Sequence, residues 1–507
     1  MALIALRTAA WGALAATLLV GVARAAPPKA DVNHRNTDGS TPLQWAVYEG
    51  NAREVRRLLD AGADVALAND YGATAMSLAA EVGDVAILKL LIEGGANADS
   101  PNADGQTALM AVARTGNVDA ARLLLDHGAT VDAREKFGGQ TALMWASARR
   151  HPQMIDFLID RGAAVDARSA DRDYQRHVTA EGRPKSLDSG GFTPLLYAAR
   201  ENCIACVKSL LAKGADIDLP DPDGVSPLLV AVMNSNLDLA KALVDAGADV
   251  DQWDVFGEAP LFTAIGLDAR RGAGRSSIDP ANELDGPGLI RLLLERGANP
   301  NQQLYFHPAN VRGETNTRGA TPLMRAAVNG DLELVKLLLE HGADAKLYMA
   351  DRETPIHGVL AGRAPEKRAV EIIRVLHDAG TDVNVVALIN HEEEIRGGSA
   401  LHFAVRKRYK EVIKQLASYG IDVNAKDQDG LTALDYTQSR GFMPFMANQT
   451  PVYKEEATLL RELGATKLLH KDPVWPVLGP PQGVWADIWP VGEPRVHEPV
   501  YKHSPVE

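Results

Sequence analysis

The sequence predicts an all-α solenoid of about eleven helix-turn-helix repeats with β-hairpin fingers, and three observations carry that prediction. A short fragment recurs, as Thr41-Pro42-Leu43, Thr193-Pro194-Leu195 and Thr321-Pro322-Leu323. Its equivalents begin at Thr41, Thr74, Thr107, Thr141, Thr193, Ser226, Ala259, Thr321, Thr354, Ser399 and Thr432, and six of the ten intervals are 33 residues. Self-similarity at a fixed period of this size is the mark of stacked repeats. The 507 residues are 46% apolar and 23% charged, which describes a folded chain. Only 5% are aromatic and 44 are glycine, too few rings for several independent cores and many small residues to pack repetitively.

Each element follows from local chemistry. A Thr or Ser opens the repeat as a helix cap, and Pro42, Pro194, Pro227, Pro322 or Pro355 takes the first helical position, where a missing N–H costs nothing. A short apolar helix follows, such as Leu43-Gln44-Trp45-Ala46-Val47. A turn at Gly50, Gly83, Gly116 or Gly330 leads to a second helix ending in pairs such as Leu58-Leu59 and Leu124-Leu125. That helix stops at a glycine suited to the left-handed conformation: Gly62, Gly95, Gly128, Gly162, Gly214, Gly247, Gly297, Gly342, Gly380, Gly420 and Gly464. Ala-Asp or Ala-Asn then leads into a polar turn, as at Asp70-Tyr71-Gly72 and Asp223-Gly224.

Three longer intervals read as insertions into an unbroken array. Extra residues are expected near 167–190, 266–287, 302–317, 361–368 and 385–397. The first of these carries Arg172, Tyr174, Arg176, His177, Arg183 and Lys185, and the last His391-Glu392-Glu393-Glu394. Loops of a solenoid collect such insertions, either as binding features or as tolerated drift. Residues 466–507 form a Pro- and Trp-rich tail with Trp475, Trp485 and Trp489; it reads as a cap laid along the last repeats or as a polyproline docking segment.

These residues resemble the ankyrin repeat, a β-turn and two antiparallel helices in 33 residues, over about 38–465. There are departures. Ala75, Ala108, Ala142, Ala400 and Ala433 replace proline, and Thr381 and Ile421 replace the alanine after glycine. Ala259 stands where a cap should be, so the first helix of repeat 7 is expected to fray. The resemblance implies a curved solenoid whose concave face and finger tips bind partners, usually proteins. It implies a role and no reaction.

In the family's geometry the two residues before the mid-repeat glycine point into the groove. That places Tyr48, Arg114, Arg149, Arg200 and Met233 there, with Arg150 adjacent. Arginine and tyrosine in a concave site suit an acidic or carboxylate-bearing segment, although ordinary solvated positions would look the same. Trp45, Trp145, Tyr197, Phe403 and Tyr436 form a second column, expected to pack between repeats. Tyr71, Phe137, Trp253 and Phe256 fall at the finger tips.

Catalytic and metal patterns are sparse. Cys203-Ile204-Ala205-Cys206 contains both cysteines; structural thiols, a local disulfide and redox use all fit it. The thirteen histidines show no His-Glu-x-x-His spacing, and no Gly-rich phosphate loop or Gly-x-Ser-x-Gly elbow occurs. The expectation is therefore a non-enzymatic chain with no cofactor and no metal. A net charge of −13 disfavours nucleic acid.

Met1–Ala25 reads as a secretory signal peptide. Arg7 precedes an apolar run from Ala9 to Ala23, and Ala23-Arg24-Ala25 supplies the small-x-small cleavage pattern. The run is short of the ~20 residues that span a bilayer, so a membrane anchor is the weaker reading. Residues 26–37 then form a linker. The expectation is an exported, periplasmic or secreted monomer, bacterial in composition, that acts as a protein-binding scaffold. The alternative from another class is an accessory or maturation subunit of an exported redox or metal enzyme; an effector acting on a foreign cell is a third.

Overall fold

A computed structural model describes residues 31–171, 190–267, 282–304, 319–388, 397–428, 430–437 and 453–466. Residues 1–25, read as a signal peptide, most of the 167–190 insertion with its basic residues, His391–Glu394 and the tail from 467 lie outside these. Two compact units divide the chain, 1–164 and 165–507. The first holds repeats 1 to 4 and the second repeats 5 to 11.

Within each unit the repeats form helix pairs. In the first unit the pairs are Pro42–Tyr48 with Ala52–Asp60, Ala75–Val82 with Val85–Glu93, Ala108–Thr115 with Val118–Asp126, and Ala142–Ala148 with Pro152–Asp160. Thr41, Thr74, Thr107 and Thr141 are extended and accept a backbone N–H three residues on, the expected cap. Val55 and Leu58, then Ile87, Leu88 and Leu91, then Leu124, then Met154, Ile155 and Leu158 form a buried stack along the second helices. Each such side chain contributes about 1.5–3 kcal/mol by leaving water.

The second unit repeats the pattern with local variations. Its complete pairs run from Pro194–Arg200 with Ile204–Ala212 to Ala400–Lys407 with Lys410–Ser418. Repeat 7 does not fray at its start. The helix Pro260–Ile265 begins at the usual position despite the absent side-chain cap, because Pro260 is preset for helix and Phe262 and Ile265 are buried. It is one residue shorter than the shortest of the others. The stretch read as an insertion near 361–368 feeds a helix, since Glu366–Asp378 is 13 residues where its counterparts mostly have nine. In repeat 11 the first helix is reduced, among the described residues, to a 3-10 turn at Asp435–Thr437, followed by the helix Lys454–Glu462.

All eleven glycines that close the second helices have φ between +80° and +99°. Where the mid-repeat glycine is missing, Arg150, Asn202, Ser235 and Arg408 adopt its left-handed conformation instead, with φ from +54° to +65°. The fingers are turns more than hairpins. Val386–Ala387 pairs antiparallel with Gly398–Ser399, and otherwise only the isolated bridges Ala68–Thr74, Asp171–Gly190 and Lys426–Thr432 occur among the described residues. The reason is turn chemistry. Asn69 donates its N–H to the Ala73 carbonyl, while its Oδ1 accepts from the Tyr71 and Ala73 amides, leaving arms too short for a ladder. Neighbouring fingers press together, and a Cβ on Gly72 would sit 2.7 Å from the Ala103 Cβ.

Side chains also stitch each repeat to the next. Asn117 and His151 reach back to the Gly83 and Arg114 carbonyls, occupying acceptors that the end of a helix leaves open. At the other edge an Asp or Asn accepts the backbone N–H of the following repeat: Asn33 from Asp64, Asp99 from Thr130 and Asp132 from Ala164 in the first unit. In the second unit Asp166, Asp218, Asp251, Asn301, Asn384 and Asn424 do the same.

Candidate partner-binding surface

The last turn of each first helix ends in side chains that packing does not consume. In the first unit Tyr48 is 54% exposed, and its ring meets Trp45 edge-on at 5.9 Å. Val82 follows one repeat later, 53% exposed. Arg114 does not stand free: its guanidinium pairs with the Glu81 carboxylate of the preceding repeat. Arg149 and Arg150 are exposed and make no ion pair among the described residues. Arg149 is the residue capping the helix Ala142–Ala148. Arg150 holds the left-handed turn at φ +65°, a conformation that a Cβ atom disfavours and glycine would adopt freely. Helix C-termini favour cations, so both charges also suit their local position. Beside them Trp145 is partly buried, and its indole N–H has no hydrogen-bond partner among the described residues.

Arg200 and Met233 belong to the second unit. Arg200 Nε donates to Glu201 at 3.1 Å, and its guanidinium lies over Tyr197 at 5.0 Å and Phe192 at 5.6 Å. Met233 is exposed at the end of Pro227–Met233. Arg406 lies over Phe403 at 4.2 Å, and Lys407 donates to the Gly362 carbonyl. The four arginines singled out in the sequence thus divide. Arg114 and Arg200 are engaged, whereas Arg149 and Arg150 present their charge to solvent. The sequence alone does not show this, because the partner of Arg114 lies a full repeat away.

The aromatic column packs: Tyr197 and Phe403 are buried, and the Trp45 indole donates to Ser40 Oγ. At the finger tips Tyr71 and Phe137 are exposed, while Trp253 and Phe256 are half-buried. Cys203 and Cys206 are joined as a disulfide. Both are buried, and Cys203 Sγ accepts the Cys206 N–H where other repeats use an Asp or Asn cap.

Two buried features were not anticipated. His357 and His402 sit three residues after the caps Thr354 and Ser399, fully enclosed. Burial presses both imidazoles below the usual range, His357 to about 4. A Thr-x-x-His or Ser-x-x-His spacing at the start of a repeat is the signal that could have marked them. Asp254, in a finger turn, is pushed up to about 7 by burial and then by the neighbouring Glu258 carboxylate. A cleft of ≈ 940 Å³ opens among repeats 7 to 9, lined by Leu267, Ile290, Leu304, Met324 and Leu337 among others. Leu267 and Leu304 lead directly into 268–281 and 305–318, which are outside the described residues. No group of three or more His, Cys, Asp or Glu suited to a metal ion occurs among the described residues, and no described helix is long and apolar enough to cross a membrane.

Comparison with known proteins agrees with this architecture. A family model for ankyrin repeats (three copies) matches residues 9–102, 77–169, 176–254, 195–270, 281–387 and 363–442. The chain is 26% identical over 170 residues to an E3 ubiquitin-protein ligase, KEG, of Arabidopsis thaliana, covering 32% of this chain and 9% of that protein. It is 32% identical over 148 residues to the human ankyrin repeat and MYND domain-containing protein 1, covering 29% of this chain and 14% of that protein. The chain therefore spans a small part of either relative's length. Among solved structures, the ankyrin repeat domain of Bcl-3 is similar over 50% of this chain and 99% of its own, at 26% identity and a TM-score of 0.39. That of human ASB11 is similar over 52% and 100%, at 22% identity and a TM-score of 0.39.

Proposed function

Since the chain belongs to the ankyrin-repeat family, whose repeats generally mediate protein–protein interaction, we propose that it is an exported scaffold that binds another protein. The observation that carries this reading is the pair Arg149 and Arg150, exposed and unpaired among the described residues, in a unit that also exposes Tyr48 and Val82. A carboxylate-bearing segment of a partner is the matching chemistry, because an arginine fork binds carboxylate oxygens two at a time. Tyr48 and Val82 supply apolar area at the matching helix ends of repeats 1 and 2. On this reading the chain acts by binding alone, as a monomer, without nucleic acid and without chemistry of its own.

Export rests on the Met1–Ala25 pattern and gains support from the Cys203–Cys206 disulfide, since such bonds persist in oxidising compartments. Periplasmic and secreted destinations are both compatible. The alternative, an accessory subunit of an exported redox or metal enzyme, draws no support from the comparisons.

The test is affinity capture with residues 26–507 from the exported fraction of the source cell, followed by mass spectrometry. Arg149→Ala/Arg150→Ala is the control, and the capture is repeated at rising salt. One dominant partner, lost in the variant and weakened by salt, supports the proposal. A partner held equally by the variant would move the surface to the fingers or insertions. No partner at all would count against the scaffold.

A further inference from the structure

Repeats 9 and 10 differ from the first unit at one buried position. Three residues after the cap, repeats 1 to 4 carry Gln44, Ser77, Met110 and Met144, and here the residues are His357 and His402. The Thr354 amide lies 3.2 Å from His357 Nδ1, with Thr354 Oγ1 at 2.8 Å. The Ser399 amide lies 3.1 Å from His402 Nδ1, with Ser399 Oγ at 2.9 Å. An amide can only donate, so each Nδ1 is an acceptor and each ring carries its proton on Nε2. His357 Nε2 then donates to the Gly398 carbonyl at 3.2 Å, and His402 Nε2 to the Leu431 carbonyl at 3.1 Å.

Gly398 and Leu431 immediately precede Ser399 and Thr432, where the next repeats begin. Each ring therefore fastens its own helix cap and the repeat that follows. His357 also meets Phe403 edge-on at 5.2 Å, and His402 meets Tyr436 at 5.2 Å. Arg406, on the helix Ala400–Lys407, opposes a proton on either ring, and His402 opposes one on His357. Asp427 and Asp435, from the finger and the 3-10 turn of repeat 11, favour a proton on His402 against the larger effect of burial.

We propose that repeats 9 to 11 form an acid-sensitive end of the array, in which protonating the two imidazoles releases both helix caps and opens residues 397–428 while repeats 1 to 4 stay closed. A second ring proton would point an N–H at the Thr354 or Ser399 amide; the cap hydroxyl beside it can turn to accept that N–H, but the amide then loses its own acceptor inside a buried enclosure. Gln44 shows what a non-titrating side chain does at the same position. Its Oε1 accepts the Thr41 amide, and its Nε2 donates to the Leu67 and Ala73 carbonyls. His151 of the first unit donates from Nε2 to the Arg114 carbonyl, a bond that a protonated ring keeps.

Amide exchange on the full chain at pH 7 and pH 4.5, corrected for intrinsic rates, tests this. Protection across 400–418 should fall at least about tenfold on acidification, and that across 108–126 less than about twofold. The double variant His357→Gln/His402→Gln should hold its protection at both pH values. An equal fall in both regions, or the same fall in the double variant, would overturn the proposal. If the double variant does not fold, NMR titration of the two imidazole C2 protons in the unaltered chain decides. Midpoints well below 6, reached as protection is lost, support the proposal, and midpoints near 6.5 with protection retained refute it.

Discussion

Repeats 1 to 4 join through side chains that keep their hydrogen bonds across the neutral pH range and expose Arg149 and Arg150 at the end of the first helix of repeat 4, whereas repeats 9 and 10 join through buried neutral imidazoles and, at the matching helix end of repeat 10, hold Arg406 and Lys407 against a ring and a carbonyl. One repeat grammar thus yields two electrostatic characters. In the first unit the polar fasteners saturate one another and leave charge over at the surface. In repeats 9 and 10 a titratable ring is drawn inward in its neutral form, so proton concentration becomes a variable of stability. Solenoid stability is roughly a sum of repeat and interface contributions, and a local difference of this kind need not be averaged away.

The comparison can be broken most forcefully through the core. Leu124→Ala removes a fully buried side chain from the first unit and should cost that unit about 2–5 kcal/mol, equally at pH 5 and pH 8, as read by denaturant unfolding. A contribution that varies with pH there would remove the contrast.

The second unit should behave otherwise. His357 is held near 4 when folded, against 6.5 when unfolded, so between those values the unfolded chain binds the extra proton. Its stabilising contribution is complete above about pH 6.5 and declines by about 3 kcal/mol as the pH falls to 4. Unfolding curves at pH 7 and pH 4.5 should show the loss, and His357→Gln should flatten it.

Asp254 has the opposite sign. Its folded carboxyl is raised to about 7 from 3.8, so the folded chain holds the proton longer and a penalty grows as the pH rises from about 4 through 7. Asn69 and Asn102 serve the equivalent turns as neutral acceptors. Asp254→Asn should therefore gain about 2–3 kcal/mol at pH 8 and almost nothing at pH 4, measured by the same unfolding curves. The smallest expected effect is at repeat 7. Ala259 already has cap geometry, at φ −96° and ψ 162°, and lacks only the oxygen. Ala259→Ser should add about 0.5–1 kcal/mol, visible as a small rise in the unfolding midpoint.

Most of the architecture could be read from the chain because its determinants are local. Thr107 caps a helix whatever surrounds it, and Gly128 is needed wherever a helix must end in a left-handed turn. The site was less legible because its determinants lie a repeat apart. Nothing adjacent to Arg114 announces Glu81, and nothing adjacent to Arg200 announces Phe192 above it. Arg150 gives no sign in the sequence of its positive φ until its alignment with Gly116 is taken seriously. Ala259 shows the converse: a cap missing by composition left the helix start where it was, because burial of Phe262 and Ile265 outweighs one hydrogen bond.

The row of Asp and Asn side chains along the array edge has a consequence for how such a chain can change. From Asp251 the acceptor reaches Asn299, and from Asn301 it reaches Asp344, across intervals lengthened by inserted residues, with the same bond as in the regular repeats. The joint is therefore indifferent to the length of chain between its halves. Loops can be exchanged, lengthened or trimmed while the coupling stays standard, as rolling stock of any length shares one hitch. A module cut out between Asp99 and Thr130 severs one such hitch and leaves two compatible ends, so this scaffold can gain or lose whole carriages without redesigning those that remain.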